Sequence, residues 1–259
     1  MAQDFPTTGS PPMIGRKLSI PEWQNYVANY DFGRLPPSQL VLHHTYRPDE
    51  NQWRGLASMR GMQTFYRGKG WIAAPHIYVA PDGIWLFTPM SQIGIHAGTG
   101  NGSLRTGWYS IGLEMVGYFD QRRPAGAVWD YAKAVMGGLS RRLQIPPRQL
   151  ISFHRDYTHQ KSCPGRAVTK EWVWGEVTAW RRLTDVDYWR RLWGYTAPYH
   201  HNWAIPGAWR ANAERLGAVR SAELWTTDGL RCMQWFVGGA IVFEKQTGAT
   251  HVIVTKDVP

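Results

Sequence analysis

Cysteine is scarce in this chain, long apolar runs are missing, and no block of like charge occurs. The two cysteines, Cys163 and Cys232, are too few and too far apart for a disulfide framework, so each thiol needs its own explanation. No apolar stretch reaches the ~18–20 residues that a membrane-spanning helix requires. The opening Met1-Ala2-Gln3-Asp4-Phe5-Pro6 lacks the basic and then apolar order of a secretory signal. The expectation is a soluble protein made in a cytoplasm, with no stable membrane association. Neither CxxC nor HExxH is present, which removes the commonest spacings of closed zinc sites and of helical metalloproteases. No repeat shows two full copies.

What is present is basic charge and tryptophan. Lys and Arg number 29 against 19 acids, a net +10 that favours an anionic partner. The excess is scattered and mostly N-terminal: residues 186–259 hold 8 basic and 6 acidic side chains, a net of only +2. A nucleic-acid tail is not supported, and no recognition motif for nucleic acid appears; an anionic cell-wall polymer explains the charge as well. Fifteen Trp in 259 residues is high for a globular chain, a composition compatible with sugar binding as well as with a large aromatic core.

Periodicity gives the organisation. Residues 1–18 read as an extended arm, and Ser19-Ile20-Pro21-Glu22 resembles a capping box that starts a short helix. Gln39 to Thr45 is a strand-length apolar run ending in His43-His44, and Leu56, Met59, Gln63 and Tyr66 recur at helical spacing. Two short apolar runs flank Ala80-Pro81-Asp82-Gly83 and predict a hairpin. Residues 110–119 are a further strand. Val128, Ala132, Val135, Met136, Leu139 and Leu143 form one helical stripe, stopped by Pro146-Pro147 before a short strand that delivers His154. A Trp-rich helix follows over 168–183. This order predicts an α/β domain with a central mixed sheet flanked by helices, and a small β-rich or α+β module after it. The expected boundaries are an arm and short helix at 1–37, the main domain at 38–185, a linker at 186–208 and the C-terminal module at 209–259.

Three segments carry metal-type donors: His43-His44, His96, and His154 through Cys163-Pro164-Gly165. Imidazole nitrogen and thiolate are zinc's preferred ligands, and three protein ligands with an open fourth position define a catalytic site. His43 and His44 are adjacent on a strand and point to opposite faces, so at most one of them reaches a shared metal. On spacing alone, packing histidines and an inert buried thiol remain the competing reading.

Five motifs occur in a definite order: Leu42-His43-His44-Thr45; Ala74-Pro75-His76-Ile77-Tyr78 running on to Asp82-Gly83; Gly94-Ile95-His96-Ala97-Gly98 with Asn101; Ser110-Ile111-Gly112-Leu113-Glu114; and His154-Arg155-Asp156 through Lys161-Ser162-Cys163-Pro164-Gly165. Over about residues 38–185 this order resembles the zinc-dependent N-acetylmuramoyl-L-alanine amidases of the type 2 amidase and peptidoglycan-recognition-protein family. The resemblance implies one zinc ion held by His43, His154 and Cys163. It implies Glu114 as general base and Lys161 as the cation beside the reacting carbonyl. It implies bacterial peptidoglycan as the substrate, cut between N-acetylmuramic acid and the L-alanine of the stem peptide. A Tyr used in another branch is replaced here by Pro75, which puts the weight on Glu114. His96 is expected to line the substrate groove, while His44, His159 and His76 are read as packing, exposed-loop and core residues. Arg155 and Asp156 are expected either to orient the ligand loop or to pair with each other. Cys232 is taken as structural.

The C-terminal segment is similar to one degenerate copy of a wall-associated repeat, carried by Leu216-Gly217-Ala218 and Trp235-Phe236-Val237-Gly238-Gly239. Wall-polymer binding there is expected, with Trp209, Trp225 and Trp235 open to either a sugar-stacking or a core role. The whole looks most like a phage endolysin that is released to the wall, for instance by a holin. Two alternatives compete: a non-catalytic peptidoglycan-binding protein on the same fold, and a cysteine hydrolase using Cys163. The retained Cys163 argues against the first. The absence of an activating helix N-terminus at Cys163 argues against the second.

Overall fold

The computed structural model describes residues 10–158, 161–184, 204–221 and 223–255. The loop residue His159 and most of the expected linker, 186–203, lie outside them. The chain divides into two compact units, Met1–Trp180 and Arg181–Pro259.

In the first unit the elements run β1 (Lys17–Leu18), α1 (Ile20–Ala28), β2 (Gln39–His44), α2 (Leu56–Gly68), β3 (Ile77–Ala80), β4 (Gly83–Leu86), β5 (Gly102–Ser103), β6 (Trp108–Met115), α3 (Gly126–Leu143), α4 (Pro147–Leu150), β7 (Ile151–Phe153) and α5 (Lys170–Thr184), whose last four residues fall past the division at Trp180. The sheet order is β1-β4-β3-β6-β2-β7, with β5 paired to β6. The β3–β6, β6–β2 and β2–β7 pairs are parallel, whereas the β3–β4 hairpin and the β1–β4 edge are antiparallel. This is the mixed sheet with flanking helices that the periodicity predicts.

Alternation along each strand sorts the side chains between two faces. Leu40 and Leu42 of β2, Ile77 and Val79 of β3, and Ile111, Leu113 and Met115 of β6 join one apolar core with residues of α1, α3 and α5. On the opposite face Tyr78, Ala80 and Val116 join a second cluster with Met59, Met62 and Tyr66 of α2. His43, Ser110, Gly112 and Glu114 occupy alternate positions of β2 and β6 and therefore share that second face. The parallel register pairs His43 with Glu114, and Glu114 in turn with Tyr78. Three neighbouring strands thus bring an imidazole, a carboxylate and a phenol into one row.

The capping box forms at α1, where Ser19 N–H and Oγ–H both donate to Glu22 Oε2, at 2.8 and 2.7 Å. Residues 14–18 are extended along β4, with the Ile14 and Gly15 amides donating to Phe87 and Leu86 carbonyls at 2.9 Å. The α3 stripe is buried as the 3.6-residue period requires. Pro146-Pro147 starts the single turn α4, so the strand that delivers His154 begins only at Ile151.

Among its described residues beyond 203, the second unit has the helices α6 (Ala204–Ala211) and α7 (Ala213–Leu216), followed by β8 (Leu224–Trp225), β9 (Arg231–Phe236), β10 (Gly239–Glu244) and β11 (Thr250–Val254). The strands form an antiparallel sheet of order β11-β10-β9-β8. One face packs Cys232, Phe236, Ile241 and Val254 with Ile205, Trp209 and Leu216. The other leaves Leu224, Trp235 and Ile253 between 43% and 51% exposed.

Candidate metal centre

His43 lies near the carboxyl end of β2, His154 follows β7 directly, and Cys163 lies in the loop after it. Because β2 pairs with β7, the two histidines meet although 111 positions separate them: His43 Nδ1 is 3.0 Å from His154 Nδ1. Cys163 Sγ lies 3.7 Å from His43 Nδ1, and the three donor atoms all fall within 4.8 Å of one another. Around tetrahedral zinc, bond lengths of about 2.0–2.1 Å to nitrogen and 2.3 Å to sulfur imply N···N and N···S edges of about 3.3 and 3.6 Å. The observed spacings and the donor set therefore fit that ion. Among the described residues this is the one cluster of three or more such donors.

The Cys163 loop is fastened from several sides. Arg155 donates from its guanidinium to the carbonyls of Ser162, Gly165 and Val168 at 3.1, 2.8 and 2.7 Å. Its backbone amide donates to Cys163 O at 3.0 Å. Asp156 does not pair with Arg155; it accepts from Phe153 N–H at 2.8 Å and from Lys170 Nζ at 2.9 Å. Of the two expectations for this dipeptide, the structure therefore has the loop-orienting one. Gly165 has φ +122°, and a Cβ there would fall 2.3 Å from Phe119 O, so the last residue of Cys-Pro-Gly must be glycine. The His44 amide donates to Cys163 Sγ at 3.4 Å, while its ring, on the other face of β2, accepts from Phe119 N–H.

Glu114 Oε1 is 4.0 Å from His43 Nδ1, and its Oε2 is buried with no hydrogen-bond partner among the described residues. An uncompensated buried carboxylate oxygen is costly. Burial pushes the Glu114 carboxyl up to about 8, opposed by the positive charge of Lys161. Lys161 is exposed, and its charge also acts on His43, His154 and Cys163. Burial holds His154 down at about 4, helped by Lys161, and holds His43 well below the ordinary imidazole value, helped by its histidine neighbours. Burial and the nearby Glu114 push the Cys163 thiol up. These directions describe the metal-free centre; a bound cation favours thiolate and neutral imidazole.

His96, expected along the substrate groove, is 6% exposed, with Nδ1 3.1 Å from His43 Nε2. His76 is fully buried, donating from Nε2 to Gln92 O at 2.9 Å and accepting from Gly112 N–H at 2.9 Å. Sequence reasoning missed Tyr78, in register with Glu114 and hydrogen-bonded to Tyr66 through an O···O distance of 2.6 Å. The period-2 alternation of β3 was the signal that would have put it on the Glu114 face.

The first unit thus combines a mixed sheet with a two-histidine, one-cysteine cluster at the carboxyl ends of parallel strands. The profile of the N-acetylmuramoyl-L-alanine amidase family matches residues 33–166, more than half of the chain, and the chain belongs to that family. Solved structures similar to it include the endolysin amidase LysCS of Clostridium intestinale, at 20% identity and TM-score 0.43 over 58% of this chain and 92% of that one. Another is the Drosophila peptidoglycan recognition protein PGRP-LB in complex with tracheal cytotoxin, at 25% identity and TM-score 0.46 over 61% and 92%. The search of curated proteins returns no match.

Proposed function

We propose that this chain is a zinc-dependent peptidoglycan amidase that hydrolyses the bond between N-acetylmuramic acid and the L-alanine of the stem peptide. The observation that carries the reading is the convergence of His43 Nδ1, His154 Nδ1 and Cys163 Sγ beside the unpartnered Oε2 of Glu114. A zinc ion bound by those three donors would supply Lewis acidity towards a carbonyl and a water at the site. Glu114, whose Oε1 lies 4.0 Å from His43 Nδ1, takes the proton of the attacking water as a carboxylate and returns it to the leaving amine. Lys161 places positive charge where the carbonyl oxygen becomes anionic. The net positive charge of the chain favours approach to an anionic wall.

The second unit serves as a wall-binding module in this reading, with exposed Trp225 and Trp235 as its contact residues. Trp209 has no such part: it is 6% exposed, and its Nε1–H donates to Gly217 O. A phage endolysin, made in the host cytoplasm and released to the wall, accounts for catalytic and wall-binding units on one chain.

The test is chelation followed by metal return, with free L-alanine amino groups counted in digested walls. Loss on chelation and recovery with zinc are expected. Release at full rate by demetallated protein overturns the zinc mechanism. Wall binding without any amine release makes the chain a recognition protein instead.

A further inference from the structure

We infer that His96 and Ser110 are positioning residues that fix which nitrogen of His43 is free to bind metal. The inference rests on the metal-site reading above, but it concerns the proton on an imidazole, which can be read without any catalysis.

The argument follows donors and acceptors along one chain of contacts. Ser110 Oγ is 2.5 Å from Gly100 O. A carbonyl only accepts, so the hydroxyl proton points at Gly100 and the Oγ lone pairs are left to accept. His96 Nε2 lies 3.4 Å from both Ser110 Oγ and Ser110 O. Both neighbours are acceptors, so His96 carries its proton on Nε2 and leaves Nδ1 bare. That bare Nδ1 sits 3.1 Å from His43 Nε2, with the two rings perpendicular at 90°. His43 must therefore be protonated on Nε2, which leaves its Nδ1 lone pair free. This is the atom 3.0 Å from His154 Nδ1 and 3.7 Å from Cys163 Sγ. Each link thus determines the next, from a backbone carbonyl to the ligand nitrogen.

The surroundings hold His96 to this task. Asn101 Oδ1 accepts from the backbone amides of His96 and Ala97 at 3.0 and 2.7 Å, clamping the turn that carries the ring. The ring lies against Gly112, where a Cβ would come within 2.7 Å of its carbon atoms. Within Ser-Ile-Gly-x-Glu, Ser110 and Gly112 thus support the imidazole while Glu114 faces the donor cluster. At 6% exposure, buried behind a ligand, His96 is placed to act on His43.

The direct test is long-range 15N–1H NMR of the metal-free wild-type protein at neutral pH. The expected result is His43 as the Nε2–H tautomer; the Nδ1–H tautomer overturns the inference with no variant needed. A second measurement is zinc affinity by chelator competition. His96→Phe is expected to weaken zinc about 10–100-fold and to let the His43 tautomer mix. His96→Asn, which returns an acceptor near the Nδ1 position, recovers part of the loss. Ser110→Ala leaves the carbonyl acceptor and produces a smaller change in the same direction. A folded His96→Phe protein with unchanged zinc affinity and unchanged His43 tautomer refutes the role. Should the amidase reading fail on amine release, these two readouts still decide this inference by themselves.

Discussion

Cys163 and Cys232 are both buried, at 8% and 1% exposure, and in both burial raises the thiol pKa, with an adjacent carboxylate adding to it. Yet Cys163 in the first unit faces His43 and the His44 amide, while Cys232 in the second faces Glu223 across 3.8 Å amid apolar side chains. A perturbed thiol is therefore no mark of a site by itself. What separates the two regions is the company: among the described residues, imidazole nitrogens converge on one sulfur and none on the other. The same contrast holds for the sheets. The first unit places His43, Ser110 and Glu114 on a buried face, each held by or paired with neighbouring strands. The second unit buries Gln234 alone among its described polar residues and leaves one sheet face open to solvent.

The largest expected effect breaks the two cysteines apart. Cys163→Ser should lose stoichiometric zinc and drop amine release to background, whereas Cys232→Ser should keep both; metal analysis and amine counting on the pair check this. Retained zinc in the Cys163 variant would remove the basis of the contrast. Next, Glu114→Gln should lower kcat about 10²–10⁴-fold while zinc stays bound, separating base from ligand within the first unit.

A third expectation concerns acid. In the metal-free protein His76 and His154 are held down at about 4, and His43 and His96 well below their ordinary value, all by burial. The unfolded chain protonates these imidazoles near ~6.5, so it binds more protons than the folded chain below that pH. Stability then falls as pH drops from about 6.5 towards 4. Glu114, raised to about 8, acts oppositely, but one carboxyl stands against four imidazoles. A fall in Tm on the order of 5–10 °C between pH 7 and pH 5 is expected. Hydrogen exchange should assign it to the first unit. Equal loss of protection in the second unit contradicts the burial account. The smallest effect belongs to the open sheet face: Trp235→Ala should weaken retention on insoluble walls by up to about tenfold and leave cleavage of soluble muropeptides unchanged.

Much of this was readable before the fold. The helical stripe from Val128 to Leu139, the Ser19–Glu22 cap and the Ala80–Gly83 hairpin follow from local period and turn chemistry, which depend on residues close in sequence. The alternation Ser110-Gly112-Glu114 against Ile111-Leu113-Met115 was legible in the same way. Less so were Arg155, whose targets are backbone carbonyls that carry no sequence signature, and Trp209, whose burial depends on a strand pair formed later in the chain.

The sequence by itself determined the donor types, their order along the chain, and the face of each strand on which they project, because side-chain direction alternates with a period of two. Tertiary structure decided which strands are neighbours. By setting β2 between β6 and β7, it brought His43 to Glu114 in register and to His154 across 111 residues. It also decided the direction of the Ser110–His96–His43 chain, since a tautomer is set by what lies opposite each nitrogen, and those partners come from separate segments of the fold.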